Sequence, residues 1–358
     1  MTHLDIIGHR LHNQCISASP FRKPSEVVTW LGAVQAQDYA GAKWALGLRL
    51  QHATDANIEQ AMTDGSILRT HVLRPTWHFV VPEDIRWLLA LTAPRVHATN
   101  AYYYRMLELD KAIFTRSNTA LAKALRDGQQ LTRAELASIL RQADIAIDGL
   151  RLVHLIIAAE LDGIICSGAR RGKQFTYALL DDRVPLTKTL ERDEALAELA
   201  RRYFISHGPA TEDDFMWWSG LTKADVRSGL EMVKQQMAHE VIDRRTYWFA
   251  ASEPPAQIGL KDAALLPNYD EYIVGYTDRS AIFDSSHSDK LDARANPLFQ
   301  NTIVVNGRIA GTWKRILKKQ AVVIETNLFT QLTEAENRSV SLAVRKYGEF
   351  LELPVALA

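Results

Sequence analysis

Twice in succession the middle of the chain runs through the same order of elements, and that repeat limits the folds open to it. From Thr132, "TRAELASIL" opens on a capping box, with Thr132 at the helix start and Glu135 three residues on. "DGLRLVHLIIAAELDG" follows, with Leu150, Val153, Ile157 and Leu161 spaced along one helix face. Gly163 ends it, because glycine accepts the positive φ of a helix exit. Two short β-rich runs come next, "IICSG" and "FTYALL", separated by the basic "ARRGKQ". From about Glu191 the order recurs. "DEALAELARRYFISHG" stops at Gly208-Pro209, and "ATEDDFMWWSG" supplies a short helix with Thr211 and Asp214 in capping positions. "LTKADVRSGLEMVKQQM" starts with Thr222 and Asp225 in the same relation, and "EVIDRRTYWFAA" reads as a hairpin turning near Asp243-Arg244-Arg245.

Two adjacent units of this order look like winged helices, in which the hairpin "wing" touches backbone phosphates. The N-terminal segment fits the same plan. "SEVVTWLGAVQ", "GAKWALGLRL" and "TDANIEQAMTDG" read as helices, the last with Thr54 as its cap. "SILRTHVLRPTWHFVVP" reads as a hairpin broken near Arg74-Pro75. The apolar stretch after it reads as a helical connector. Pro254-Pro255 marks a boundary, beyond which "EYIVGYTD", "TIVVNGRIAGTWKR" and "QAVVIETNLF" read as β runs. Asn306-Gly307 is a type I′ hairpin signal that places Arg308 at the tip, with Lys314 and Arg315 farther along. "LTEAENRSVSLAVRKYGEFL" is a closing helix with a capping box at Thr333 and Glu336. The expected class is α+β: three tandem winged-helix units at 1–82, 111–186 and 187–253, a helical connector at 83–110, and a C-terminal β-rich, small barrel-like domain at 256–358.

Composition excludes several classes. With 47% hydrophobic and 23% charged residues, disorder is not expected. No run approaches the roughly 18 apolar residues of a membrane helix. The start "MTHLDIIGHRLHNQC" carries His, Asp and Arg too early for a secretory signal, so the expected compartment is the cytoplasm. Cys15 and Cys166 are too few for a disulfide framework or a cysteine zinc site. His71 and His78 share the first hairpin while His207 and His239 lie far apart, and no HExxH occurs, so no metal is expected. Walker, GxGxxG and nucleophile-elbow patterns are absent, so no nucleotide cofactor is expected. Net charge is zero, which leaves segregated basic stretches to consider: Arg170, Arg171 and Lys173, and the run from Asn306 to Lys319. Each reads either as a solvated face or as a phosphate grip.

The first unit holds the densest polar cluster. In "VQAQDY" two glutamines flank Ala36. On a helix that spacing turns the amides about 200° apart; on an extended chain it puts them on one side. In "RTHVLRPTWHFV", Thr76 and His78 fall on one strand face and Trp77 and Phe79 on the other. One reading is a wing with packed aromatics and solvated Arg69 and Arg74. The other has Arg74, Thr76 and His78 bordering a site shared with the glutamines. Four stretches, "VQAQD", "RTHVLRPTWHFVVPEDI", "LLPNYDEYIVGYTDR" and "NGRIAGTWKR", together resemble the tandem winged-helix DNA glycosylases, a family that includes azinomycin-resistance enzymes acting on interstrand crosslinks.

The resemblance implies a catalytic Gln-apolar-Gln motif at Gln35, Ala36 and Gln37. Ala36 is smaller than the apolar residue expected there, which suggests a roomier pocket. The implied activity is monofunctional hydrolysis of the N-glycosidic bond of cationic N7- or N3-alkylated purines in duplex DNA, crosslinks included. A cationic base is already a good leaving group, so two amides can suffice to hold a water and stabilise an oxocarbenium-like sugar. Glutamine cannot act as a true base near neutral pH. No lysine neighbours the motif, so no Schiff-base step is expected. Asp38 either activates the water or terminates the helix. The helix from about Ser25 must therefore end or distort between Val34 and Gln37. Arg170, Arg171, Lys173, Arg308, Lys314 and Arg315 would grip phosphates. The alternatives are a non-catalytic winged-helix regulator and a protein-interaction scaffold. "GLRLVHLIIAAEL" is too apolar for base readout, which counts against the regulator. The expected protein is a monomer.

Overall fold

Polar caps and positive-φ residues set where many of the elements start or stop. The computed structural model describes residues 3–184, 189–251, 263–291 and 296–358. The first unit comprises α1 (His3–Asn13), α2 (Pro24–Leu31), β1 (Val34–Gln35), α3 (Tyr39–Gly47), α4 (Asp55–Asp64), β2 (Leu68–His71) and β3 (Trp77–Val80). Thr54 caps α4 by accepting from the Asn57 N–H, and Gly65 closes it in the left-handed region. The three strands pair antiparallel in the order β1-β3-β2. A single 25-residue helix, α5 (Pro82–Met106), then leads to the second unit.

That unit repeats the plan with α6 (Lys111–Ala124), β4 (Leu131–Thr132), α7 (Arg133–Gln142), α8 (Arg151–Leu161), β5 (Ile165–Ser167), β6 (Thr176–Leu179) and the short α9 (Leu180–Arg183), its sheet ordered β4-β6-β5. The third has α10 (Arg192–Ser206), α11 (Glu212–Ser219), α12 (Lys223–Val233), β7 (Met237–Ile242) and β8 (Arg245–Ala250), with Ala210 bridging to Trp248. The capping boxes expected at Thr132 and Thr211 are formed. In all three units a short extended segment runs straight into a capped helix: Gln35 to Asp38, Leu131 to Thr132, Ala210 to Thr211.

The C-terminal part holds β9 (Ala263–Leu266), α13 (Glu271–Val274), β10 (Thr302–Val305), β11 (Arg308–Leu317), β12 (Val322–Leu328), α14 (Glu334–Leu351) and β13 (Val355–Leu357). Its sheet runs β13-β12-β11-β10-β9 and curls as a half barrel, with β9 and β13 as edges, so the expected barrel does not close. Asn306 and Gly307, at φ 53° and 75°, make the expected type I′ turn. A Cβ on Gly307 would lie 2.0 Å from Ile7, so the tip is seated on α1. The strand expected over "EYIVGYTD" is instead α13 and a following loop. The Asp270 carboxylate caps that helix through the Tyr272 N–H, and Tyr269 turns the chain at φ 61°. Glu271 to Val274 are all buried, so the apolar run reflects burial rather than pleating. The boundary read at Pro254-Pro255 lies outside the described residues.

Two cores meet across the first sheet. Val34 and Phe79 join one shared with Ile303, Trp313 and Tyr347 of the C-terminal part. Leu68 and Val80, on the opposite face, join another with Leu199, Phe204 and Trp218 of the third unit. Gln35, Thr70 and His78 share that second face, because directly opposed residues point the same way. Among the described residues no helix is long and apolar enough to cross a membrane.

Candidate active site

Gly32 decides the local geometry of "VQAQDY". It ends α2 at φ 82°, its N–H bonded to the Thr29 carbonyl, so the helix stops before the motif begins. The chain leaves extended, pairing Val34 with Phe79 and Gln35 with His78, and the Ala36 N–H bonds the Trp77 carbonyl at 2.7 Å. Val34 and Ala36 enter the core, at 1% and 0% exposure, and the glutamines take the alternate positions. Gln35 is buried, whereas Gln37 is exposed and its Oε1 accepts from the Trp77 N–H at 3.4 Å. Ala36 packs in the apolar cluster with Val34 and Phe79. Its small size therefore answers to the core, and the roomier-pocket reading does not hold.

Gln35 is pinned at two points. Its N–H donates to Glu271 Oε1 at 2.7 Å, and its Oε1 accepts from Arg74 Nη2 at 2.9 Å. Glu271 is fully buried, and its other oxygen accepts from Trp218 Nε1 at 2.9 Å and faces His207 Nε2 at 3.5 Å. Burial alone would raise the Glu271 carboxyl; the His207 ring and the Gln35 N–H outweigh it and hold it below its ordinary value. Beside it, Asp270 takes a bidentate pair from Arg49 at 2.8 Å, both side chains fully buried. Glu271 opens the stretch read as a strand, and Asp270 directly precedes it. Their position at the head of an apolar run was the available signal, since a buried carboxylate needs a partner.

Arg74 and His78 both meet Gln35, Arg74 through its hydrogen bond and His78 as the residue paired opposite, while Thr76 meets His78 through its carbonyl. Arg74 lies 5.7 Å from the Trp217 ring, and Arg279 lies 5.8 Å from the same ring. Neither Arg69 nor Arg74 is the solvated residue of the simpler wing reading: Arg69 is 7% exposed, and burial pulls the Arg74 guanidinium down. His78 is fully buried, and burial, with the nearby Arg74 charge, takes it down to about 3. Its Nδ1 lies 3.0 Å from the Thr76 carbonyl, which can only accept, so Nδ1 carries the proton and Nε2 keeps its lone pair. That Nε2, with Thr70 Oγ1, Thr76 Oγ1 and Arg74 Nε, is buried without a hydrogen-bond partner. The hairpin thus offers unsatisfied polar atoms beside Gln35.

Asp38 accepts from the Gly41 N–H at 3.1 Å and caps α3, the position Thr132 and Thr211 hold in the other units. The basic residues divide. Arg170 pairs with Glu59 at 3.0 Å and packs over Tyr39 and Phe175. Arg171 pairs with Glu135, and Lys173 is exposed. Arg308 and Lys314 are exposed but six residues apart on β11, roughly 20 Å. Arg315 turns to the Tyr347 hydroxyl, on which it donates at 2.8 Å. The three do not form one cluster. Among the described residues no group of His, Cys, Asp and Glu is placed to hold a metal ion.

Comparison with known proteins gives three findings. A family model described as DNA glycosylase AlkZ-like matches residues 28–350. An interstrand DNA cross-link repair glycosylase from Streptomyces sahachiroi is 24% identical over 331 residues, covering 89% of each chain. The solved structure of Streptomyces sahachiroi DNA glycosylase AlkZ superposes with a TM-score of 0.81 at 20% identity, covering both chains fully, which shows a common fold.

Proposed function

The chain belongs to the AlkZ-like DNA glycosylase family, and from that premise we propose that it is a monofunctional glycosylase hydrolysing the N-glycosidic bond of cationic N7- or N3-alkylated purines in duplex DNA, interstrand crosslinks among them. The observation that carries this reading is the double pinning of Gln35, through its N–H to Glu271 and its Oε1 to Arg74, at the inner end of an extended segment whose outer end is Gln37. An amide held at both its backbone and its oxygen costs little reorganisation when charge develops at the sugar. The Gln35 oxygen keeps a second lone pair for a water, and the exposed Gln37 amide supplies the other contact. Glu271 sits behind the motif with its oxygens already engaged. It is a positioning residue and counters the Arg74 charge.

Cationic lesions suit this site because departure of a positively charged base needs no strong general acid. His78, neutral and down at about 3, supplies none near pH 7. The nearest lysine in sequence, Lys43, is held by Asp55 and Glu59 at 2.6 and 3.0 Å, which favours water over a lysine nucleophile. We read the three helix-and-hairpin units as tandem winged helices. The regulator alternative is weakened by α8, buried from His154 to Leu161 and unable to present a base-reading face. The test is incubation with duplexes carrying N7-alkylguanine or a neutral damaged base, followed by alkali to cut abasic sites. Release from the cationic lesion alone is expected. Release from both, or from neither, would remove the proposed substrate class.

A further inference from the structure

Arg69 is a buried cation without an acid. It is 7% exposed, and among the described residues no carboxylate lies within ion-pair distance. Arg10, Arg49 and Arg202, by contrast, meet Asp214, Asp270 and Asp84. The nearest acid in its field, Glu160, is taken by His71. Burial draws the Arg69 guanidinium down to about 10, with Glu160 opposing. A desolvated charge in this condition is costly unless something compensates.

Two rings and one carbonyl hold it in place. The guanidinium carbon lies 4.1 Å from the Trp77 ring centroid and 4.6 Å from that of Phe175, and cation–π attraction offsets part of the cost. Nε donates to the Ala36 carbonyl at 3.1 Å, so the group is tied to the residue between the two glutamines. With the faces covered and Nε engaged, the remaining edge carries Nη1 and Nη2. Neither has a hydrogen-bond partner among the described residues, and neither is among the polar atoms closed off from solvent. A planar fork fixed in this way matches two oxygens of one phosphate.

We propose that Arg69 is a phosphate-binding residue that grips a phosphodiester of the strand whose nucleotide is presented to Gln35 and Gln37. The inference rests on the glycosylase reading and adds the group that fixes strand register. The sugar whose N-glycosidic bond is cut carries a phosphate on each side, so a cation tied to Ala36 meets phosphate before it meets a base edge. The substrate anion then supplies the counter-charge the fold withholds.

The test is binding of wild type, Arg69→Gln and Arg69→Lys to a duplex with one abasic analogue, at several salt concentrations. Companion duplexes each carry one neutral methylphosphonate near the lesion. For Arg69→Gln, affinity should fall roughly ten-fold or more. The slope of log K against log salt should flatten by about 0.9, the share of one phosphate. One methylphosphonate position should weaken wild type yet leave Arg69→Gln unaffected. Arg69→Lys should keep the slope but bind more weakly than wild type, because a point charge cannot reproduce the two-pronged contact, and it serves if the glutamine variant does not fold. Equal sensitivity of wild type and Arg69→Gln at every position, with an unchanged slope, would overturn the proposal, as would Arg69→Lys binding as tightly as wild type; so would an effect that follows a guanine instead of a phosphate. Base release by the wild type is measured in parallel. Release with no change on Arg69 substitution sinks the phosphate site alone. A phosphate footprint without release sinks the glycosylase reading and leaves the site standing.

Discussion

Replacing Glu271 separates support from chemistry at this site. In Glu271→Ala the Gln35 N–H and the Trp218 Nε1–H lose their acceptors in a fully buried place. At about 1–3 kcal/mol for each orphaned donor, the loss is about 2–6 kcal/mol, before any cost of the space left behind. Glu271→Gln keeps the volume but must turn its NH2 toward one of those donors, which costs about 1–3 kcal/mol. Loss of the anchor also frees the Gln35 backbone, and a shift of about 1 Å at a reacting group can cost about 100-fold in rate. Urea unfolding followed by tryptophan fluorescence reads the first quantity, and single-turnover release of N7-alkylguanine reads the second. The charge has a pH signature as well. The folded-state pKa lies below the ordinary 4.5, so its stabilisation is full above pH 4.5 and is lost as pH falls through the folded value. Glu271→Gln should flatten that acid limb. A glutamine variant as stable as wild type to within about 0.5 kcal/mol, with unchanged release, would refute the anchoring role.

Other consequences are open to direct measurement. His78 is 6.5 unfolded and about 3 folded, so stability should fall as pH drops from 6.5 toward 3, by up to about 1.4 kcal/mol per pH unit. His207 is lowered too and adds to the slope, so the check is that His78→Gln removes one proton's share of it. Asp38→Ala should cost about 0.5–2 kcal/mol through the lost cap, and Asp38→Thr should restore both stability and most base release. If the threonine variant regains stability but not release, Asp38 has a chemical role.

What the sequence made legible is mostly local. Thr132, Thr211 and Thr333 announced helix starts because a cap acts within three residues, and Asn306-Gly307 announced its turn because two positive φ angles select those residues. The helix expected to end or distort between Val34 and Gln37, from the need to bring two amides to one place, ends earlier, at Leu31, because Gly32 takes a positive φ. Long-range partners were not legible. Gln35 and Glu271 are 236 residues apart, and no periodicity records that one will accept from the other. "EYIVGYTD" misled because a short apolar, β-branched run fits a strand and a buried helical turn equally, and Asp270's cap decides. Arg69 looked like a solvated wing residue, because Phe175, the ring on its far side, belongs to the second unit. Ala36 looked like a pocket residue until the pairing of β1 with β3 turned it into the core.

The most direct test of the central claim is a double-mutant cycle on the glutamines. Single-turnover release of N7-alkylguanine from duplex DNA is measured for wild type, Gln35→Ala, Gln37→Ala and the double variant, with folding checked by thermal unfolding. Two amides serving one water and one oxocarbenium-like sugar act as a unit. Each single change should then cost about 100-fold or more, and the double variant little beyond the worse single. Release that survives in the double variant would contradict the assignment of the site, and strictly additive losses would contradict a shared one.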